Sequence, residues 1–330
     1  MNVKKIIAGA AILLALTTSM FAAKAKKSDK LKVVTTIFPE YDWTREIIGD
    51  KASNVELTLL LGNGVDLHSY QPSIQDIAKI STADIFIYVG GESDGWVKDA
   101  LKNATNKNMK VINLMETLGD KVKAEEIKEG MQAEEEEEHE HHHDGDHDED
   151  EVEYDEHVWL SLRNAKILCA EIAAALSAKD PATATAYKAN LASYTARLDA
   201  LDAKYAAAVK AGSKNTILFG DRFPFRYFVE DYGLDYFAAF VGCSAETEAS
   251  FETVIFLSKK VDELGLNSVL KIESGDGKIA RTIIQNTRKK NARVLTLDSI
   301  QSTTLKQAKA GTTYLSIMED NLKVLEEALK

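Results

Sequence analysis

The run from Asp180 to Ala211 constrains the fold more than any other part of the sequence. Asp180-Pro181 opens it, Gly212 follows it, and after Pro181 it contains neither proline nor glycine. Proline suits the first turn of a helix and glycine suits its end. The pattern therefore predicts one helix over 181–212, much longer than the mean helix of about 11 to 12 residues.

Strands and helices alternate on both sides of this long helix. Apolar runs predict strands at 32–36, 55–60, 84–89, 110–113, 215–219, 269–272 and 294–297. Helical spacing predicts helices at 41–48, 73–81, 164–176, 225–232, 251–264, 278–290 and 314–329. Such alternation is typical of parallel sheets built from βαβ units. The sequence predicts an α/β protein with two lobes and a cleft, where ligands bind at the carboxyl ends of the strands.

The N-terminus predicts export. Lys4 and Lys5 precede the apolar run Ile6–Leu16, and small residues follow at Ala22 and Ala23. This is the order of a secretory signal peptide, which we place at 1–25. The mature chain is then expected to be soluble and periplasmic, and its remaining length fits two domains.

The segment from Glu134 to His157 carries a distinctive composition. It reads EEEEEHEHHHDGDHDEDEVEYDEH and holds all of the seven histidines except His68. Without the fifteen acids between Glu134 and Glu156, the net charge of −12 becomes +3. The rest of the chain has no basic cluster typical of nucleic-acid binding. We expect 133–156 to form a disordered loop because few apolar residues offset its ordering entropy.

Histidines and acids together favour divalent-metal binding, because neutral imidazole and carboxylate oxygens are common metal ligands. The alternative is a solvated acidic loop with incidental histidines. The hypothesis is that the loop captures ions weakly and concentrates them near a tighter site. The two cysteines, Cys169 and Cys243, are compatible with a disulfide or with two free thiols, and the sequence leaves this open.

Several motifs stand in order along the chain: HSYQPS at His68, DEHVWLS around His157, YFVEDYGL from Tyr227, and LDS at Asp298. Together they resemble the metal-binding periplasmic proteins that serve ABC importers of zinc or manganese. The His-rich loop before His157 resembles the zinc-specific branch. The resemblance implies two (β/α)4-type lobes, at 26–180 and 213–330, joined by a rigid helix, with one metal ion in the cleft.

The resemblance also implies a ligand set. His68 and His157 match its first two ligands and Asp298 its last. The third ligand is a His or Glu in the family, but Arg222 stands at that position in FGDRFPFRYF. A guanidinium has no acceptor and cannot bind a metal, so we expect the neighbouring Asp221 to supply the oxygen. Glu246, Glu248, Glu273 or water are the alternatives.

The expected function is therefore a non-enzymatic carrier that binds Zn2+, with Mn2+ as the alternative ion, and delivers it to an ABC transporter membrane permease. We expect a monomer without a nucleic-acid partner. A secreted zinc-dependent hydrolase, which would need an open coordination position and a general base near a metal-bound water, is the rival. A zinc buffer or surface adhesin without a permease is a third possibility.

Overall fold

A computed structural model describes residues 30–132, 152–244 and 248–330. The predicted signal peptide at 1–25 lies outside the described residues. So do Glu246 and most of the His-rich loop, 133–151. Contacts within Leu31–Lys330 define a single unit, which contains both predicted sheets.

The strands of the described residues lie in two sheets. The first contains β1 (Leu31–Thr35), β2 (Val55–Leu59), β3 (Ile85–Tyr88) and β4 (Lys110–Asn113). The second contains β5 (Thr216–Phe223), β6 (Asp235–Val241), β7 (Ser268–Lys271) and β8 (Arg293–Thr296). Their orders are β2-β1-β3-β4 and β6-β5-β7-β8, and every pairing is parallel. The predicted α/β class with two parallel sheets is confirmed.

The helices connect and flank these strands. They are α1 (Phe38–Ile48), α2 (Ile74–Ser81), α3 (Val97–Lys102), α4 (Leu114–Leu118), α5 (Leu162–Lys179), α6 (Ala184–Ala211), α7 (Arg226–Tyr232), α8 (Phe251–Leu264), α9 (Lys278–Gln285), α10 (Leu305–Lys309) and α11 (Tyr314–Ala328). Within the part of the chain that the structure describes, no helix combines the length and apolarity needed to cross a membrane.

The strand β6 is an element that the sequence does not predict. Its segment, DYFAAFV, is buried at five of its seven positions, so it lacks the alternation of a half-exposed strand. A short apolar run of this kind cannot be told from a buried helix by periodicity. Its parallel pairing with β5 decides its conformation, and Gly242 and Cys243 follow directly after its carboxyl end.

The long helix is present and touches helices that flank both sheets. It begins at Ala184, after a turn at Pro181–Thr183, rather than at Pro181. The Asn190 side chain donates to the Ile47 carbonyl of α1 at 3.0 Å. Near its other end, the Tyr205 hydroxyl donates to the Met318 carbonyl of α11 at 2.5 Å. The helix thereby ties the flanking helices of the two sheets into one core.

Both sheets have the same switch of direction. In the first sheet, β2 lies on one side of β1 and the next strand, β3, lies on the other side. In the second sheet, β6 and β7 lie on either side of β5 in the same way. Such a point opens a crevice at the carboxyl ends of the strands, where open α/β sheets bind ligands. The loops that follow β2, β6 and β8 carry His68, Cys243 and Asp298.

Candidate metal centre

His68 lies in a short 3-10 turn, Leu67–Ser69, that follows β2. The Asp66 carboxylate caps this turn, since Asp66 Oδ1 accepts the His68 N–H at 3.1 Å. The imidazole Nδ1 is 2.8 Å from the Ser93 hydroxyl and 3.6 Å from Glu156 Oε2. These contacts hold the ring through its Nδ1, and its Nε2 faces the His157 ring.

His157 is completely buried and precedes a second 3-10 turn, Val158–Leu160. Asp155 Oδ1 accepts both its backbone N–H, at 2.8 Å, and its Nδ1–H, at 3.1 Å. The ring packs on the Trp159 indole, with centroids 5.1 Å apart. On another side it contacts Gly242, where an added Cβ would lie 3.0 Å from the imidazole Cε1. A side chain at 242 would therefore require the imidazole or the Phe223 carbonyl to shift by a few tenths of an ångström.

The structure brings the two predicted histidines together. Their Nε2 atoms are 3.1 Å apart, although the residues are 89 positions apart in the chain. Two nitrogens bound at about 2.1 Å to a tetrahedral zinc would lie about 3.4 Å apart. The observed separation therefore requires only a small adjustment to admit an ion between the rings.

The hydrogen bonds on the far side of each ring favour metal binding. The Asp155 carboxylate holds the proton of His157 on Nδ1, which leaves the lone pair on Nε2 for an ion. Such outer partners fix the tautomer and the orientation of metal-binding histidines. Burial, His157 and Arg222 lower the pKa of His68 to about 3, against the opposing effect of Asp66. His68 is thus neutral at pH 7, which is the form that binds metals.

Cys243 is the third potential ligand at this point. Among the described residues, one ligand atom each of His68, His157 and Cys243 lies within 4.8 Å of the others. The Cys243 backbone N–H donates to Glu125 Oε1 at 3.3 Å. Burial and the nearby charges of Glu125, Asp155 and Glu156 raise the pKa of the thiol. Both cysteines are free, which answers the question that the sequence leaves open.

Asp221 lies near the end of β5, within the irregularity in the pairing with β6 between Phe219 and Arg222. Its Oδ2 accepts the Ile272 N–H at 3.2 Å, and its Oδ1 accepts the Arg222 N–H at 2.9 Å. Burial raises the pKa of its carboxyl. Oδ2 thus joins β5 to the chain directly after β7, and Oδ1 supports β5 itself. The structure does not bring Asp221 into the group formed by His68, His157 and Cys243 within 4.8 Å.

Asp298 follows β8 and is also outside that group. Its Oδ1 accepts the Ile300 N–H at 2.7 Å, and its backbone N–H donates to Asn321 Oδ1 at 2.8 Å. Burial and the negative charge of Glu273 raise the pKa of Asp298 to about 7. Ile300 has a φ of 64°, which is strained for a β-branched residue. Such strain persists only where the surroundings enforce it, as the contacts of Asp298 do here.

Arg222 is paired rather than directed at an ion. Its Nη2 donates to Asp66 Oδ2, and its side chain is 14% exposed. It lines a cavity of about 480 Å³ together with Asp66, Asp221 and Glu248. Glu273 is another alternative for the third ligand. Its carboxylate instead accepts hydrogen bonds from the backbone N–H and hydroxyl groups of Ser299 and Ser302. The position where the family has a ligand is thus filled by a cation.

Several residues of the site escape prediction from the sequence. Asp155 and Glu156 belong to the segment expected to be disordered, yet both are buried and hold the two imidazoles. The only signal for Asp155 is its position two residues before His157. Cys243 stands in a Gly-Cys-Ser turn whose preceding strand carries no clear pattern, so its approach to the histidines depends on the tertiary structure.

The fold and the site together define an α/β binding protein with two parallel sheets, in which the candidate metal ligands His68 and His157 face each other. Residues 33–328 match the family described as "ZnuA: Zinc-uptake complex component A periplasmic", and the chain belongs to this family. The resemblance to periplasmic metal-binding proteins of ABC importers is therefore confirmed.

Individual relatives agree with this assignment. The chain is 30% identical to the zinc-binding protein AdcA of Streptococcus pyogenes over 90% of its own length and 55% of the relative's. It thus spans about half the length of that relative. It is 30% identical to the high-affinity zinc uptake system protein ZnuA of Bacillus subtilis, over 92% of this chain and 89% of that one. The Zn(II)-bound ZnuA-like domain of Streptococcus pneumoniae AdcA matches with a TM-score of 0.67 and 28% identity, over 91% and 99% of the two chains.

Proposed function

We propose that this protein is an extracytoplasmic zinc-binding protein that delivers its ion to an ABC-type importer. The ion is the cargo, and His68 and His157 hold it. Asp298 is the candidate oxygen ligand from the second half of the chain. Asp221 is the candidate that the sequence gives for the third position, and Cys243 competes with it there. The chain acts as a monomer without catalysis, and a membrane permease removes the ion.

The observation that carries the proposal is the facing pair of Nε2 atoms 3.1 Å apart. Each ring is fixed through its Nδ1 by a residue of the first lobe, Asp155 or Ser93. A divalent ion fits between these two nitrogens without moving either ring far, so the site is largely formed before binding.

The donor atoms favour zinc over manganese. Imidazole nitrogen suits zinc, whereas manganese prefers carboxylate and carbonyl oxygen. At least two nitrogens meet here, while the carboxylate of Asp221 is engaged with backbone N–H groups. The zinc-binding relatives and the Zn(II)-bound solved domain support the same ion.

A competition titration of the apo protein with zinc and with manganese, each against a chromogenic chelator, tests ion binding. We expect one tight zinc site that is lost in His68→Ala and in His157→Ala. His141→Ala is the matched control, because it removes a histidine of the acidic loop. It is expected to keep the tight site, as is a deletion of 134–151.

Two results would contradict the proposal. Tight manganese binding with weak zinc binding would identify the manganese-binding counterpart of the same transporter class. Tight zinc binding that survives both cleft substitutions but is lost on deleting 134–151 would place the metal chemistry in the loop instead.

Delivery to a permease is tested separately. A strain without this protein is expected to grow poorly when zinc is chelated, and to recover when zinc or the intact gene is restored. A gene that encodes His157→Ala should fail to restore growth. Normal growth of the deletion strain under chelation would favour a buffer or adhesin role without a permease.

A further inference from the structure

Cys243 has an unusual position for a free thiol. It follows β6 directly, and its side chain lies with the imidazoles of His68 and His157, with ligand atoms no more than 4.8 Å apart. The other cysteine, Cys169, is buried within α5 and belongs to the hydrophobic core. The two thiols therefore have different surroundings, and only Cys243 is part of the candidate metal centre.

The geometry suits a third ligand. In a tetrahedral site with a Zn–S bond of about 2.3 Å and a Zn–N bond of about 2.1 Å, sulfur and nitrogen lie about 3.6 Å apart. A rotation of the Cys243 side chain that moves the sulfur by about 1 Å is therefore sufficient. The backbone is held meanwhile, because the Cys243 N–H donates to Glu125 Oε1 and the preceding Gly242 packs against the His157 ring.

The other candidates for the third position are occupied. Arg222 forms an ion pair with Asp66 and offers no lone pair. Asp221 accepts two backbone N–H bonds, one within β5 and one from Ile272 directly after β7. Arg222 therefore cannot serve as a ligand, and Asp221 would have to move and release these N–H groups, whereas Cys243 needs one side-chain rotation away from the Glu125 carboxylate.

We propose that the Cys243 sulfur, as a thiolate, is the third protein ligand of this metal centre, in place of the ligand that the family provides where Arg222 stands. This inference rests on the proposed zinc-binding function. On binding, the thiol loses its proton to solvent and the sulfur lone pair binds the ion. Asp298 stays the candidate for the fourth position.

A sulfur ligand predicts a particular metal preference. Thiolate is a soft ligand that selects zinc and its heavier relative cadmium, and disfavours manganese and magnesium. The mixed set of two nitrogens and one sulfur matches the ligand types of known zinc sites. We therefore expect cadmium to bind at this centre and to compete with zinc, whereas manganese competes poorly.

The test uses metals whose spectra report sulfur. Reduced apo protein is titrated with cobalt(II) and with cadmium(II), and ultraviolet absorption is recorded for sulfur-to-metal charge transfer. The intact protein and Cys169→Ser are expected to show this absorption at one equivalent. Cys243→Ser is expected to lose it and to bind zinc at least about 100-fold more weakly, since even outer-shell changes cost 10- to 100-fold.

A second measurement does not depend on the fold of a variant. One equivalent of zinc should protect Cys243 of the intact protein from alkylation by iodoacetamide, as located by peptide mass mapping. Cobalt binding that requires His68 and His157 but shows no sulfur charge transfer would overturn the proposal and leave the zinc-binding function intact. No binding of zinc, cobalt or cadmium at any site would overturn both.

Discussion

Asp155→Asn is the substitution that best isolates how the site orients its ligands. The amide oxygen of Asn can still accept the His157 backbone N–H, so the turn is retained. The negative charge opposite the His157 Nδ1–H is lost, however, and with it the preference for the tautomer that leaves Nε2 free. Because Asp155 is buried, water does not replace this partner.

The size of the effect follows from the distances. The carboxylate lies 3.1 Å from His157 Nδ1. Adding the width of one imidazole ring and a Zn–N bond puts an ion on the order of 7 Å away. At an effective dielectric constant of about 20, one negative charge and a divalent ion at that distance attract each other by about 5 kcal/mol, which is an upper limit for the loss. The Asn amide oxygen still faces the imidazole, so we expect the 10- to 100-fold loss of zinc affinity typical of such partners, or about 1.4 to 2.7 kcal/mol.

The assay is competition titration of zinc against a chelator of known affinity, with urea unfolding to verify that the apo variant is folded. Asp320→Asn is the matched control, because its carboxylate is exposed and paired only with Lys323. It should bind zinc like the intact protein. Unchanged zinc affinity in a folded Asp155→Asn protein would refute the role assigned to this carboxylate.

Two further substitutions test the charge of Arg222 beside the site and the ionisation of Glu40 in α1. Arg222→Gln removes a cation close enough to lower the pKa of His68, so zinc should bind about tenfold more tightly in the same titration; weaker binding would contradict this. Burial is the main cause that raises the pKa of Glu40 to about 8, and the charge of Asp94 adds to it. Between about pH 4.5 and pH 8 the folded state therefore keeps a proton that the unfolded state has released. Stability should therefore fall as the pH rises from about 4.5 to about 8, and Glu40→Gln should reduce that fall by on the order of 2–4 kcal/mol in urea unfolding; an equal pH dependence in both proteins would show that Glu40 has no part in it.

The sequence by itself determined the class of fold. Strand and helix patterns reflect local backbone preferences and burial, so β1, β3 and the long α6 are visible in the residues that form them. The length of α6 is set locally as well, because no proline or glycine interrupts Ala184–Ala211. The strand β6 is the exception, since its apolar run acquires its conformation only by pairing with β5.

For the site, the sequence motifs pointed to His68 and His157, and the tertiary structure brought these two residues face to face. No local pattern could show that Cys243, 86 residues after His157, would join them, because that approach depends on the pairing of β5 with β6. Nor could a local pattern show that Asp155 and Glu156, at the end of the acidic segment, are buried against the imidazoles of His157 and His68. The sequence specifies which side chains could bind a metal. The packing of the folded chain decides which of these side chains lie close enough to form one candidate site.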